Sequence, residues 1–118
     1  MLRPVTDPVT GHQQAGRRPI LVVSKEAFNQ ATGLLTIVPL TSLKAGRKLY
    51  PNEVLLPAAI AGPPADSIAL CHQIRTISGA RAYSMVGRLT DGGLRQRIAE
   101  ALLDHLELVD LDLLTEEP

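Results

Sequence analysis

Three short blocks of this chain hold the side chains best suited to phosphate chemistry. They are Gly11–Ser24, which reads GHQQAGRRPILVVS, Val38–Ser42, which reads VPLTS, and Leu70–Ile77, which reads LCHQIRTI. Metal-free acid–base chemistry at a phosphodiester takes a base, a cation for the charge developing at phosphorus, and an acid for the leaving oxygen. Arg18 offers a planar fork of donors matched to phosphate. His12 and His72 carry the side-chain type that ordinarily exchanges its proton near neutral pH. Each has a plainer reading as well, Arg18 as a surface cation at a strand end and the histidines as polar loop or strand residues. Thr41 reads as an ordinary β-branched strand residue.

Other polar residues near these blocks are candidate contacts for a polyanion such as a nucleic acid. Gln13, Gln14 and Arg17 precede the first apolar run, Lys44, Arg47 and Lys48 form a basic loop after Thr41, and Gln73 and Arg75 follow His72. A basic loop of this kind can track an RNA backbone and lend salt dependence. Arg75 alternates with Ile74 and faces either RNA or a structural carboxylate. Aromatic residues for base stacking are few: Phe28, Tyr50 and Tyr83. His105 lies among acids and belongs on a solvated helix face.

The formal charge is zero, with 12 basic and 12 acidic residues, yet the two signs are separated along the chain. Up to Thr90 the bases dominate and only Asp7, Glu26, Glu53 and Asp66 are acidic. From Asp91 onward only Arg95 and Arg97 oppose the acids, and residues 110–118 form an acidic tail. A basic body with an acidic C-terminal element can attract a polyanion while the molecule stays neutral. Cys71 is the single cysteine, which excludes an intramolecular disulfide and a cysteine metal site and suits a reducing, cytoplasmic setting. The acids of the body are scattered without metal-ligand spacing, so no metal and no cofactor is expected. No apolar run approaches the roughly 18 residues of a membrane span, and the expectation is a soluble protein.

The elements that must position these side chains are mostly strands. PILVVS (Pro19–Ser24), LLTIVPLTS (Leu34–Ser42), NEVLLP (Asn52–Pro57), SIALCHQIRTI (Ser67–Ile77) and MVGRL (Met85–Leu89) read as five strands. Pro39 lacks the ladder N–H, so the second must bend, bulge or lie at an edge there. KEAFNQATG predicts a short helix or turn ended by Gly33, while LKAGRKLYP and AAIAGPPAD read as loops. Leu94, Ile98, Ala101, Leu102, Leu106 and Val109 recur at helical spacing behind the cap types Thr90 and Asp91, predicting an amphipathic helix from about Gly92 to Leu108. The fold expected is α+β and mainly β. It is one domain over 1–118, a small strongly curved antiparallel sheet or partly closed barrel packed on a C-terminal helix.

DPVTGHQQAGRRPILVVS, IVPLTS, LCHQIRTI and GRLTDGGLRQRIAEAL together resemble the MazF/PemK/Kid toxins of toxin–antitoxin pairs, in order and approximate spacing from Asp7 to Val109. The resemblance implies an SH3-like barrel shared with CcdB, a homodimer, a MazE-like antitoxin partner, and a metal-independent endoribonuclease that cuts single-stranded RNA at short sequences. Residue by residue it implies that Arg18 and Thr41 are catalytic and, from the Kid branch, His12. Gln13 stands where the family commonly has glutamate, and Leu70 and His72 stand where Kid uses arginine and aspartate. Only MLRPVT precedes DPVTG, so the family's first strand is expected to be nearly absent. Two other readings share the fold: a CcdB-like gyrase poison without catalysis, and a degraded toxin that only binds antitoxin.

Overall fold

LLTIVPLTS is the longest β-forming run, and the sheet is built around it. The computed structural model describes residues 2–4, 18–62, 65–85, 87–108 and 111–116, with backbone alone at 2–4 and 81–85. Its strands are β1 (Leu2–Pro4), β2 (Ile20–Val22), β3 (Leu34–Ser42), β4 (Glu53–Leu56), β5 (Ser67–Leu70), β6 (Arg75–Ser78) and β7 (Ala82–Met85). Its helices are α1 (Glu26–Thr32), α2 (Ala58–Ala61) and α3 (Gly92–Leu106). The strands pair antiparallel in the order β4-β5-β3-β2-β1-β7, with β6 placed on β3 beside β5. Among the described residues the ends of this path, β4 and β7, do not pair. The result is a curved open sheet rather than a closed barrel. β1 pairs with β2 at Leu2 and with β7 along Leu2–Pro4.

Pro39 explains how one edge of β3 serves two strands. The Leu40 N–H points towards β2 and donates to Pro19 O at 3.3 Å. N–H groups alternate sides along a strand, so residue 39 would donate towards the β5–β6 edge, where proline has nothing to give. Leu40 pairs with Ala69 on β5, and Ile37 pairs with Arg75 on β6. Leu70 to Ile74 therefore stand against Val38 and Pro39 alone and leave the ladder as a wide bulge. Cys71–Gln73 form a 3-10 turn within it, held by Ile74 N–H to Cys71 O at 3.3 Å and by Cys71 N–H to Asn52 O at 3.1 Å.

Four sequence expectations are corrected here. Ser67–Ile77 is two strands around a turn, because its neighbour cannot hold a continuous ladder. The last strand is Ala82–Met85, not Met85–Leu89. AAIAG is not all loop, since Ala58–Ala61 make one helical turn that Gly62 closes at φ 95°. The C-terminal helix stops at Leu106, where Glu107 turns left-handed at φ 43° and its N–H bonds Leu103 O. The expected contact at Val109 lies outside the described residues.

The core is divided by the sheet. On the inner face, Leu21, Val38, Leu40, Val54, Leu56, Ala69 and Cys71 pack against Leu94, Ile98 and Ala101 of α3. Ile20, Leu35 and Ile37 form a smaller cluster of their own with Val22 and Ile77. Asp91 caps α3 by accepting from the Leu94 N–H at 2.9 Å, and the helix buries the Leu94–Ile98–Ala101 stripe against the sheet. Leu106, one turn beyond, is 43% exposed. Among the described residues no helix is long and apolar enough to cross a membrane.

Ile98→Ala removes a side chain of α3 that is buried against the sheet. Urea unfolding should show a loss of about 2–5 kcal/mol. A loss below about 1 kcal/mol would mean that α3 does not close this core.

Candidate active site

Residues directly opposite in an antiparallel ladder send their side chains to the same face. Leu21–Val38, Leu40–Ala69 and Val54–Ala69 are such pairs on the inner face, against α3. The intervening residues therefore point outward. Thr41 is opposite Ile68, which is opposite Leu55, and these share the outer face. Along β3 the next outward positions are Pro39, opposite Ile20, and Ile37, opposite both Val22 and Arg75. Carried on through the Leu40 N–H to Pro19 O bond, the β2–β3 register sets Arg18 across from Thr41. Arg18 and Arg75 are exposed and Thr41 is half-buried.

Sequence candidates from two blocks thus meet on one face, with Arg75 of the third nearby. His72 and Gln73 are both exposed in the 3-10 turn, with Gln73 Nε2 3.5 Å from His72 Nε2. The turn exists because of the bulge at Pro39, so the proline also decides where His72 is displayed. His12, Gln13, Gln14 and Arg17 lie outside the described residues. Cys71 sits beside His72, yet it is fully buried and burial pushes its thiol up to about 11. It is no nucleophile.

The basic loop is organised by a carboxylate that the sequence did not single out. Glu53, at the start of β4 and opposite Leu70, lies on the outer face with its side chain 3% exposed. Arg47 Nη1 and Nη2 donate to its two oxygens at 2.8 and 3.0 Å, and the Tyr50 N–H adds a third bond at 3.1 Å. Arg47 Nη1 also donates to Lys48 O at 2.6 Å. Arg47 is thereby engaged within the protein, while Lys44 and Lys48 remain exposed. The signal available in the sequence was an acidic residue opening an apolar strand in an otherwise basic segment.

Burial alone would raise the Glu53 pKa, but the Arg47 hydrogen bonds outweigh it and hold the carboxyl below its ordinary value of 4.5. The Tyr50 N–H and the charges of Arg47 and His72 act in the same sense. Arg47 is correspondingly raised, chiefly by its hydrogen bonds to Glu53. Among the described residues no three His, Cys, Asp or Glu side chains gather as a metal site. A separate cavity of about 910 Å³ opens between β2, α1 and α3, apolar at Leu21, Val23 and Ile98 and basic at Lys25, Arg88 and Arg95.

A carboxyl depressed on folding stabilises the protein above its unfolded pKa, and that contribution disappears as pH falls through the folded value. In Arg47→Ala the depressing partner is gone. The gap in urea midpoint between parent and variant should be widest near pH 7 and should narrow below pH 4.5. A gap independent of pH from 7 to 3.5 would show that the pair does not govern this loop.

Comparison with known proteins agrees with this architecture. The model of the PemK-like, MazF-like toxin of type II toxin–antitoxin system matches residues 3–106. The chain is 38% identical over 107 residues to endoribonuclease MazF9 of Mycobacterium tuberculosis, which covers 86% of this chain and 88% of that protein. It is 33% identical over 103 residues to endoribonuclease EndoA of Bacillus subtilis, covering 87% of each. Among solved structures, a MazE-MazF complex from Deinococcus radiodurans aligns with a TM-score of 0.70 at 30% identity over 91% of both chains. The M. tuberculosis toxin MazF-mt6 aligns with a TM-score of 0.68 at 20% identity, over 91% of this chain and 97% of that one, a likeness of fold. The matched span takes in the Arg18–Thr41 row, the His72 turn and α3 alike, and the chain belongs to the PemK-like, MazF-like toxins of type II toxin–antitoxin systems.

Proposed function

We propose that this toxin is a sequence-specific, metal-independent endoribonuclease acting on single-stranded RNA. The observation that carries the reading is the pairing register that sets exposed Arg18 across from Thr41, on the face reached by the basic loop. The names of its relatives support it, since both MazF9 and EndoA are endoribonucleases. They point away from the gyrase-poison reading.

Arg18 binds the scissile phosphate and stabilises the charge that builds on it, and Thr41 assists through its hydroxyl. His12 and His72 share the base and acid roles, His12 on the strength of the family resemblance alone. One imidazole takes the 2′-OH proton and O2′ attacks phosphorus. The P–O5′ bond breaks, and the other imidazolium gives its proton to O5′. The products are a 2′,3′-cyclic phosphate and a 5′-hydroxyl. Lys44, Lys48 and Arg75, with Gln13, Gln14, Arg17 and Gln73, hold the flanking RNA, and Arg47 acts by fixing the loop.

Neutralisation follows from the same electrostatics. An acidic, partly apolar antitoxin segment suits a basic face and competes with RNA for it. The solved MazE-MazF complex supports a cognate MazE-like partner, and we read the working form as a cytoplasmic homodimer.

Arg18→Ala should lower kcat by about a hundredfold to a thousandfold, roughly 2.7 to 4 kcal/mol, the usual cost of losing a preorganised donor. Arg97→Ala, exposed on α3, serves as the control and should cleave at the parent rate. A parent-like Arg18→Ala removes the centre of the mechanism. Cleavage should also persist in EDTA and stop when the nucleotide before the cut carries deoxyribose, because O2′ is the nucleophile. Activity lost to EDTA and restored by magnesium would overturn the metal-independent route, and a deoxyribose substrate cut normally would overturn attack by O2′.

A further inference from the structure

β3 and β4 both run antiparallel to β5 and flank it, so the chain between them must cross a face of the sheet. Arg47 reaches the outward carboxylate of Glu53, which puts this crossing on the same face as Thr41 and Arg18. Glu53 grips Tyr50 from both sides. The Tyr50 N–H donates to Glu53 Oε1 at 3.1 Å, and Tyr50 O accepts from the Glu53 N–H at 2.9 Å. Further back, the Arg47 N–H donates to Lys44 O at 3.1 Å. With its backbone held this way, Tyr50 is still 63% exposed, while Phe28 is half-buried.

A tyrosine ring presented to solvent on a fixed backbone is poorly explained by folding. It buries little, and an exposed aromatic of this size stabilises a fold only through what covers it. Lys44 and Lys48 precede it in the same loop, both exposed. Exposed aromatic rings on a segment that also carries backbone-tracking cations are how proteins hold unpaired bases, since every base has a face to stack. Fixing the loop in advance lowers the ordering cost of binding.

We propose that Tyr50 is a stacking platform for one unpaired base of the RNA substrate, held in place by the Arg47–Glu53 pair. The proposal rests on the endoribonuclease reading. The stacked nucleotide flanks the scissile phosphate at Arg18, and the loop then contributes to the choice of cut site. Tyr50 touches the substrate without taking part in bond making.

The test starts from a long single-stranded transcript cleaved by the parent protein, with the cut sites mapped by primer extension. A short oligoribonucleotide spanning a mapped site, with deoxyribose before the cut, then serves as an uncleavable binding probe. Tyr50→Ala should weaken its binding roughly fivefold to hundredfold, the usual range for losing one base–aromatic stack. Tyr50→Phe should bind like the parent, because stacking needs the ring and not the hydroxyl. Replacing flanking nucleotides one at a time by abasic residues should identify one position at which parent and Tyr50→Ala bind equally. Parent-like binding by Tyr50→Ala, or a loss in Tyr50→Phe as large as in Tyr50→Ala, overturns the platform while leaving RNA cleavage standing. A parent protein that cuts no transcript overturns both. Thermal unfolding of each variant, expected to match the parent because Tyr50 is exposed, separates lost binding from lost fold.

Discussion

A missing backbone donor at Pro39 is the constraint on which the rest of the site depends. Strand β3 must accept partners on both edges, and at residue 39 one edge has no N–H to offer. A continuous strand there would leave ladder groups unpaired in a buried sheet, which is costly. The chain instead pairs twice with β3 and turns out between the two segments. That excursion displays His72 and Gln73, and it carries Cys71 inward to the core. Its placement beside the start of β4 also brings the turn within electrostatic reach of Glu53.

Glu53 is the second organiser. Carboxylates are seldom buried unless they are paired and their lone pairs are filled. Here two guanidinium bonds and one backbone N–H meet that demand, and each comes from the loop between β3 and β4. The cost of burying the charge is thereby converted into order in a glycine-containing basic loop, which has its own left-handed residue at Gly46, φ 79°. Removing Arg47 takes more than a surface charge from this region, because it leaves a buried carboxylate short of a partner.

The sheet also separates charge. Helix α3 packs on the inner face, so its acidic residues Glu100 and Asp104 face solvent beyond it, across the core from Arg18, Lys44, Lys48 and Arg75. A neutral molecule thus presents a basic surface to a polyanion and an acidic one elsewhere. Chain order alone separates the signs, but opposite charges along a sequence can still meet in space. Packing α3 against Val38, Leu40 and Leu56 is what keeps them apart.

Several elements were legible in the sequence because local physics decides them. β3 runs from Leu34 to Ser42 as its β-branched run indicates, α1 ends at Gly33 in the left-handed conformation, and Asp91 caps a helix whose apolar stripe is spaced for burial. That Pro39 disturbs the ladder was legible too, since an absent N–H is a covalent fact, but β3 itself is neither broken nor at an edge there and the interruption falls in its partner. That outcome was not legible, because breaking Ser67–Ile77 into two strands depends on which segment pairs with β3 on the donor-less side. The same holds for the face shared by Arg18, Thr41 and Arg75, which is set by register between strands distant in sequence. Arg47 looked like one of three equivalent cations until the fold brought Glu53 beneath it. Residue types and periodicity determine which elements form. Only tertiary pairing decides which side chains share a surface, because a register shift of one residue would send every one of them to the other face.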